Sequence, residues 1–145
     1  MTQVKLKASS EWDSRFGVDN IKRPNTNPWH GRGNGKNQWI TFEFDDFTEV
    51  TGFRYKAHAG WDGSSFKNFN FDYYSESNSA WQTFHHGQGS NLDCCQWKKI
   101  WLTMSPKAKR FRLYMIDDWG YNWLSIQQLQ LETTGCWNGI YFFIY

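Results

Sequence analysis

"NQWITFEFDDFTEVTGFRYKA", residues 37–57, alternates apolar and polar side chains twice, with an acidic interruption between the two runs. In an extended chain Ile40, Phe42 and Phe44 share one face and Trp39, Thr41 and Glu43 the other. After the interruption, Phe53 and Tyr55 oppose Arg54 and Lys56. Successive side chains of a strand point to opposite faces, so a period of two with one apolar face predicts a half-buried antiparallel strand.

The pattern continues outward. "FKNFNFDYY" (66–74) turns Phe69, Phe71 and Tyr73 inward and Asn68, Asn70 and Asp72 outward. "WKKIWLTM" (97–104) sets Ile100, Leu102 and Met104 against Lys99, Trp101 and Thr103, and "KRFRLYM" (109–115) sets Phe111, Leu113 and Met115 against Arg110, Arg112 and Tyr114. In "WLSIQQLQL" (123–131) the phase slips between Ile126 and Leu129, which predicts a bulge. Turn-rich stretches separate the runs: "RPNTNPWHGRGNGKN", "AGWDGSS", "SESNS", "HHGQGSNLD" and "DDWGYN". With no helical period and no repeat, the chain reads as a β-sandwich or a barrel.

Composition narrows the function classes. A chain of 145 residues is one domain with enough interior to fold without staples. The formal charge of +2 does not call for a polyanion. Ten Trp, twelve Phe and seven Tyr must fill much of the core, because Leu, Ile and Val are scarce, and the surplus rings point to a binding surface. No run of 18 apolar residues occurs that would form a spanning helix. Met1 precedes the polar "TQVKLKASS", so either the protein is cytosolic or a signal peptide has been removed. Cys94, Cys95 and Cys136 are odd in number, leaving at least one thiol free or paired with another chain. The vicinal pair is poorly placed to bridge itself, and Cys136 with either partner stays open. No zinc-type spacing and no N-x-S/T site is present.

"ASSEW" (8–12), "VDNIKRPNTNPW" (18–29), "NQWITFEF", "VTGFRY", "FKNFNFDYYSESNSAWQTF" (66–84), "AKRFRLY" (108–114) and "WLSIQQLQLE" (123–132) stand in an order that resembles the discoidin, or coagulation-factor C-type, domain family over about residues 4–132. The resemblance implies an all-β, eight-stranded antiparallel jelly-roll-like sandwich of the galactose-binding-like type, spanning 1–134 and followed by an apolar tail, 135–145. It also implies ligand binding at loops on one end, here 29–38, 59–65, 85–93 and 117–123. Members bind galactose-type and other glycans, anionic phospholipids, collagen and receptor ectodomains, and mostly do not catalyse.

The candidate ligand-binding residues follow from those loops. "HAGWDGSS" offers His58, Trp61 and Asp62, and "DDWGYNW" offers Asp117, Asp118, Trp119 and Tyr121. An aromatic face suits the apolar side of a pyranose, and planar polar groups suit its hydroxyls. Two readings stand for Trp61 and Trp119: a sugar platform, or packing on the sandwich edge. Trp123 and Trp29 are expected in the core. His30 and Arg32 lie in "WHGRGNGKN", where Gly-rich backbone would let a ligand approach closely. His58 stands where family glycan binders commonly place an Arg, so binding is expected to weaken as pH falls through the His range. Related modules often hold calcium in an Asp-containing turn. The corresponding candidates are Asp19, Asn25, Thr26 and Gln128, with Asn20 where Gly is usual and Gln128 where a Glu often ligates.

The remaining signals read as structural. His85-His86 has no nucleophile partnered to it, and "SPKAKRFR" (105–112) reads as solvated charge rather than a nucleic-acid patch. The tail is too short to cross a bilayer, which leaves an edge strand, docking on the sandwich or joining subunits. The expectation is a non-enzymatic carbohydrate-binding module acting at the cell surface or outside the cell. Its rivals are an anionic-phospholipid module and a protein adhesion domain using the same loops. Asp62, Asp117 and Asp118 weigh against anionic lipid.

Overall fold

The computed structural model describes residues 4–24, 27–58, 65–91, 96–134 and 141–144, with side chains described as far as residue 133. Its strands are β1 (Lys5–Ala8), β2 (Trp29–His30), β3 (Gln38–Thr48), β4 (Val50–Lys56), β5 (Asn68–Ser75), β6 (Ala80–Gln88), β7 (Trp97–Trp101), β8 (Ala108–Met115), β9 (Ser125–Ile126), β10 (Gln128–Thr134) and β11 (Tyr141–Ile144). One sheet runs β1-β3-β8-β5-β6 and the other β11-β10-β4-β7, while β2 and β9 form a small third ladder. All strand pairings among the described residues are antiparallel. The first sheet with β10, β4 and β7 gives the eight-stranded sandwich that the resemblance implied. β11, from the tail, extends the second sheet at its edge.

The apolar faces close on one aromatic core. Ile40, Phe42 and Phe44 of β3, Phe53 and Tyr55 of β4, Phe69 and Phe71 of β5, and Phe111, Leu113 and Met115 of β8 are all buried. Phe53 stacks across the two sheets on Phe71 at 5.5 Å and meets Phe69 edge-on at 5.7 Å. Such offset and T-shaped contacts are the favourable arrangements of aromatic quadrupoles. The Tyr55 hydroxyl accepts from the Ser90 amide at 2.9 Å, and burial pushes its pKa up to about 12.

Several expectations need correcting. Asp72 stands on the outer, polar side of β5 as expected but is covered there, at 2% exposure. Arg112 of β8 reaches its Oδ2 at 2.8 Å and Thr83 donates to its Oδ1 at 2.7 Å, which makes burial of the charge tolerable. Arg112 is therefore not solvated charge. Met104 is 95% exposed, because β7 ends at Trp101 and the alternation has no sheet to face beyond it. The phase slip at Ile126–Leu129 is not a bulge but a change of partner. Ile126 pairs with Trp29 in the small ladder, and Gln128 begins pairing with Lys56 in the second sheet.

Register determines where the loops gather. Ala8 pairs with Ile40 at the end of β1, Gln38 with Met115 where β3 begins and β8 ends, and Asn68 with Gln88 where β5 begins and β6 ends. The segments after β1, β8 and β6 and those before β3 and β5 therefore emerge at one end.

Candidate functional site

The loop after β8 is held by one carboxylate. Asp118, buried, accepts from the backbone N–H groups of Gly120 (3.0 Å), Tyr121 (3.1 Å) and Trp123 (3.0 Å). Three amides on one side chain wind the loop into a fixed shape, with Gly120 (φ 103°) and Asn122 (φ 62°) supplying the left-handed backbone. The neighbouring loop packs directly on it. A Cβ at Gly35 (φ 75°) would lie 2.8 Å from Asp118 Oδ2 and 2.9 Å from the Asn122 carbonyl carbon. This glycine serves loop-on-loop packing rather than approach of a ligand, contrary to expectation.

Asp117 also has a structural partner. Its Oδ1 accepts from the Asn68 backbone at 2.9 Å, and both carboxylate oxygens accept from the Asn68 side chain at 3.1 Å, which ties the loop to the start of β5. The carboxylate is half-exposed, so it anchors the loop while still facing the rim.

Of the two tryptophans of this loop, only Trp123 departs from its expected place. Trp119 is half-buried, with Lys67 Nζ 5.1 Å over its ring. Trp123, expected in the core, is 44% exposed. The reason is the winding on Asp118, which fixes the Trp123 backbone at the outer end of the loop while Leu124 turns inward. Tyr121 is 59% exposed, as a rim residue should be.

His30 is corrected as well: at 4% exposure it lies beneath the rim rather than on it. Its imidazole stacks on Trp12 (5.3 Å between centroids, 25° between planes), meets Phe16 edge-on at 6.0 Å and lies 5.6 Å from the Trp123 ring. Burial, and then the nearby His58, hold its pKa below the usual imidazole range. Trp12, 48% exposed, belongs to the "ASSEW" motif and is a site residue that the sequence does not reveal. Nothing local marks it. It reaches the rim because Trp12 N–H donates to the His30 carbonyl at 2.7 Å and Gly31 N–H to the Leu124 carbonyl at 3.0 Å, lacing three distant segments together. Arg32 is exposed beside them, its Nε shared between the carbonyls of Glu11 and Trp12 at 3.1 Å each. Trp29, as expected, is fully buried, donating to the Ser10 carbonyl at 3.0 Å.

The site is thus an exposed aromatic rim in which Trp12 and Trp123 lie against a buried imidazole and Tyr121 stands on the Trp123 loop, with Arg32 and His58 adjoining. Trp61 and Asp62 lie outside the described residues, as do Asn25, Thr26 and the three cysteines. Of the calcium candidates, Asp19 sits 3.3 Å from Lys22 Nζ and Gln128 is buried on β10. These two supply one carboxylate, already matched by an ammonium, and one amide, which alone do not make a calcium cage. Among the described residues no group of three or more His, Cys, Asp or Glu side chains could hold a metal ion.

Both histidines of β6 have close side-chain partners. His85 Nδ1 lies 3.2 Å from the Thr103 hydroxyl and its ring stacks on Phe69, whereas His86 Nδ1 meets Asn70 Oδ1 at 2.7 Å.

Fold and site together define a jelly-roll β-sandwich of the galactose-binding-like class, with an aromatic rim on its loop end. The chain belongs to the F5/8 type C domain family, whose model matches residues 5–129. Among solved structures it is similar to the family 32 carbohydrate-binding module of NanJ from Clostridium perfringens, solved with galactose (14% identity, 88% of this chain and 92% of that one, TM-score 0.71). It is likewise similar to discoidin II from Dictyostelium discoideum (17% identity, 88% and 53%, TM-score 0.73). A third similar structure is the family 32 module of AlyQ, solved with 4,5-unsaturated mannuronic acid (19% identity, 90% and 97%, TM-score 0.68). No curated protein sequence matches the chain.

Proposed function

We propose that this domain is a non-enzymatic carbohydrate-binding module that takes a glycan on the rim of Trp12, Tyr121 and Trp123. The single observation that carries the reading is the exposure of these three large rings, between 44% and 59%, with Trp12 and Trp123 both set against a buried imidazole. Phe47, Trp97 and Trp101 are exposed too, but they stand on strands, whereas solvent-facing rings at the loop end leave flat apolar faces for the C–H side of a pyranose. Arg32 and His58 bring hydrogen-bonding groups to the hydroxyl side. The reading is supported by similar modules solved with galactose, with a GalNAc-galactose disaccharide and with a uronic acid. Galactose-type sugars are the first ligands to try, and action at a cell surface or outside the cell belongs to the same proposal.

A glycan array followed by calorimetric titration of the best neutral oligosaccharide tests it. Trp12→Ala and Trp123→Ala should each weaken binding by about 1–3 kcal/mol, roughly 5- to 150-fold, with melting temperature little changed. Binding that survives both substitutions takes the rim out of the account. Liposome pull-down and receptor capture in parallel would identify an anionic-lipid or protein ligand on the same loops.

A further inference from the structure

The outer face of the five-stranded sheet carries a second constellation, built by strands rather than loops. Its register sets polar side chains in rungs: Lys5, Glu43 and Arg110 on one, and Lys7, Thr41, Arg112, Asp72 and Thr83 on the next. Lys5, Lys7, Thr41, Glu43, Arg110 and Arg112 of these rungs, with Trp39 and Trp81, line a groove of about 330 Å³, at the lower end of the ~300–1,000 Å³ typical of ligand pockets.

Arg112 in this groove is held in place from behind and from the sides. Its Nε and Nη2 both reach Asp72 Oδ2 at 2.8 Å, and its guanidinium lies 4.6 Å from the Trp81 ring centroid and 5.2 Å from that of Tyr114. Asp72 in turn is fixed by Thr83. Two of the five guanidinium N–H donors are thereby engaged, and the others keep their hydrogen-bonding capacity on a group that cannot deprotonate. Arg110 sits 3.7 Å over the Tyr74 ring and 3.4 Å from Glu76. Lys5 and Lys7 are exposed and form no ion pair among the described residues. The groove is lined by Lys5, Lys7, Arg110, Arg112 and Glu43, and since Asp72 and Glu76 pair with the two arginines, Lys5 and Lys7 are its cations without an ion pair among the described residues.

We infer that this groove is a second glycan site, selective for a saccharide chain that bears sulfate or carboxylate groups. The indole faces of Trp39 and Trp81 suit pyranose rings. The preset guanidinium and the two lysines suit oxyanions in both geometry and charge. A nucleic acid is disfavoured by the acids woven into the same face, Glu43, Asp72 and Glu76, and by a formal net charge of only +2. An anionic bilayer is disfavoured because the cations surround a recess between half-buried rings rather than an inserting apex.

The site is tested on the full chain by calorimetric titration with a sulfated galactan hexasaccharide, a galacturonate hexasaccharide and their desulfated and methyl-esterified counterparts. In the Trp123→Ala background, where the rim is disabled, at least one charged chain should bind at 50 mM NaCl, with its neutral counterpart at least 10-fold weaker. Raising NaCl to 300 mM should weaken binding at least 5-fold. The double variant Lys5→Gln/Lys7→Gln should lose at least 10-fold on the charged chain, with an unchanged melt, and keep its affinity for the rim's neutral glycan. Arg112 is left intact because its removal would strand buried Asp72. Trp123→Ala, run alongside, should spare charged-chain binding. The inference is overturned if neither charged chain binds, or if the neutral counterparts bind equally. It is also overturned if the lysine variant binds as the parent does, or if phosphatidylserine vesicles or duplex DNA compete through Lys5 and Lys7 more strongly than the glycan. Loss in Trp123→Ala with no effect of the lysines would move the charged glycan to the rim, sinking the groove while leaving the rim reading in place.

Discussion

Trp29 and Trp123 are both indoles next to small-ladder residues, yet their environments are opposite. Trp29 is completely buried and hydrogen-bonded, and Trp123 is nearly half exposed. Trp29→Ala should therefore cost roughly 3–5 kcal/mol of stability, as large core truncations do. Trp123→Ala should cost less than about 1 kcal/mol while weakening glycan binding, and paired calorimetric melts read the contrast. His30 gives a pH dependence at the same scale. Burial and the neighbouring His58 lower its folded-state pKa, while Asp13 opposes them weakly. A base with a lowered folded pKa takes up its proton more readily when unfolded, so its contribution is fully present above the unfolded pKa of about 6.5. It is lost as pH falls below that value toward the folded one. The melting temperature should drop between pH 7.5 and pH 5, and His30→Gln should drop less. His85, also lowered by burial and by His86, accounts for a remaining part.

At the scale of elements, the loop after β8 depends on Asp118 more than on any ring it displays. Asp118→Ala leaves three backbone N–H groups without their acceptor, and a loss of about 1–3 kcal/mol in stability is expected. Glycan binding should fall with it, since Tyr121 and Trp123 lose their fixed placement. Asp118→Asn, which keeps an acceptor oxygen, should recover part of both, as melts and titrations would show. The 3-10 turn Val18–Lys22 carries the calcium proposal. If Asp19 ligates calcium, it does so by giving up Lys22, and EDTA lowers the melting temperature of the parent but not of Asp19→Ala. An EDTA-insensitive parent melt removes calcium from the account.

At the scale of the molecule, eight strands enclose the aromatic core and β11 adds to the β10 edge through Leu131–Thr134. Ending the chain after Thr134 should leave a folded β-sandwich by circular dichroism, because no strand of the eight is removed. Its melting temperature should fall, and it should associate more at high concentration, since the β10 edge then presents unpaired amides and carbonyls. Size-exclusion chromatography and calorimetry read both effects. Unfolding of the truncated chain would make β11 integral to the fold.

The sequence by itself determined β3, β4, β5, β7 and β8 and most of their inward faces. Period-two alternation is a local property, and Ile40, Phe42, Phe44, Phe53, Phe69, Phe71, Phe111 and Leu113 could each be placed by counting along the chain. The family was legible as well, because its motifs keep their order. What local pattern could not contain was decided by partners far away in sequence. Asp72 looks like an outward polar residue until Arg112, forty positions on, closes over it. Trp12 is one aromatic in a polar stretch until the His30 carbonyl takes its amide. Trp119 and Trp123 differ by four positions in one loop, and only the winding of backbone around the Asp118 carboxylate turns one partly inward and the other out. Hydrophobic period belongs to a segment. Burial of a particular ring in a loop belongs to the contacts that fold the loop, and those exist only in three dimensions.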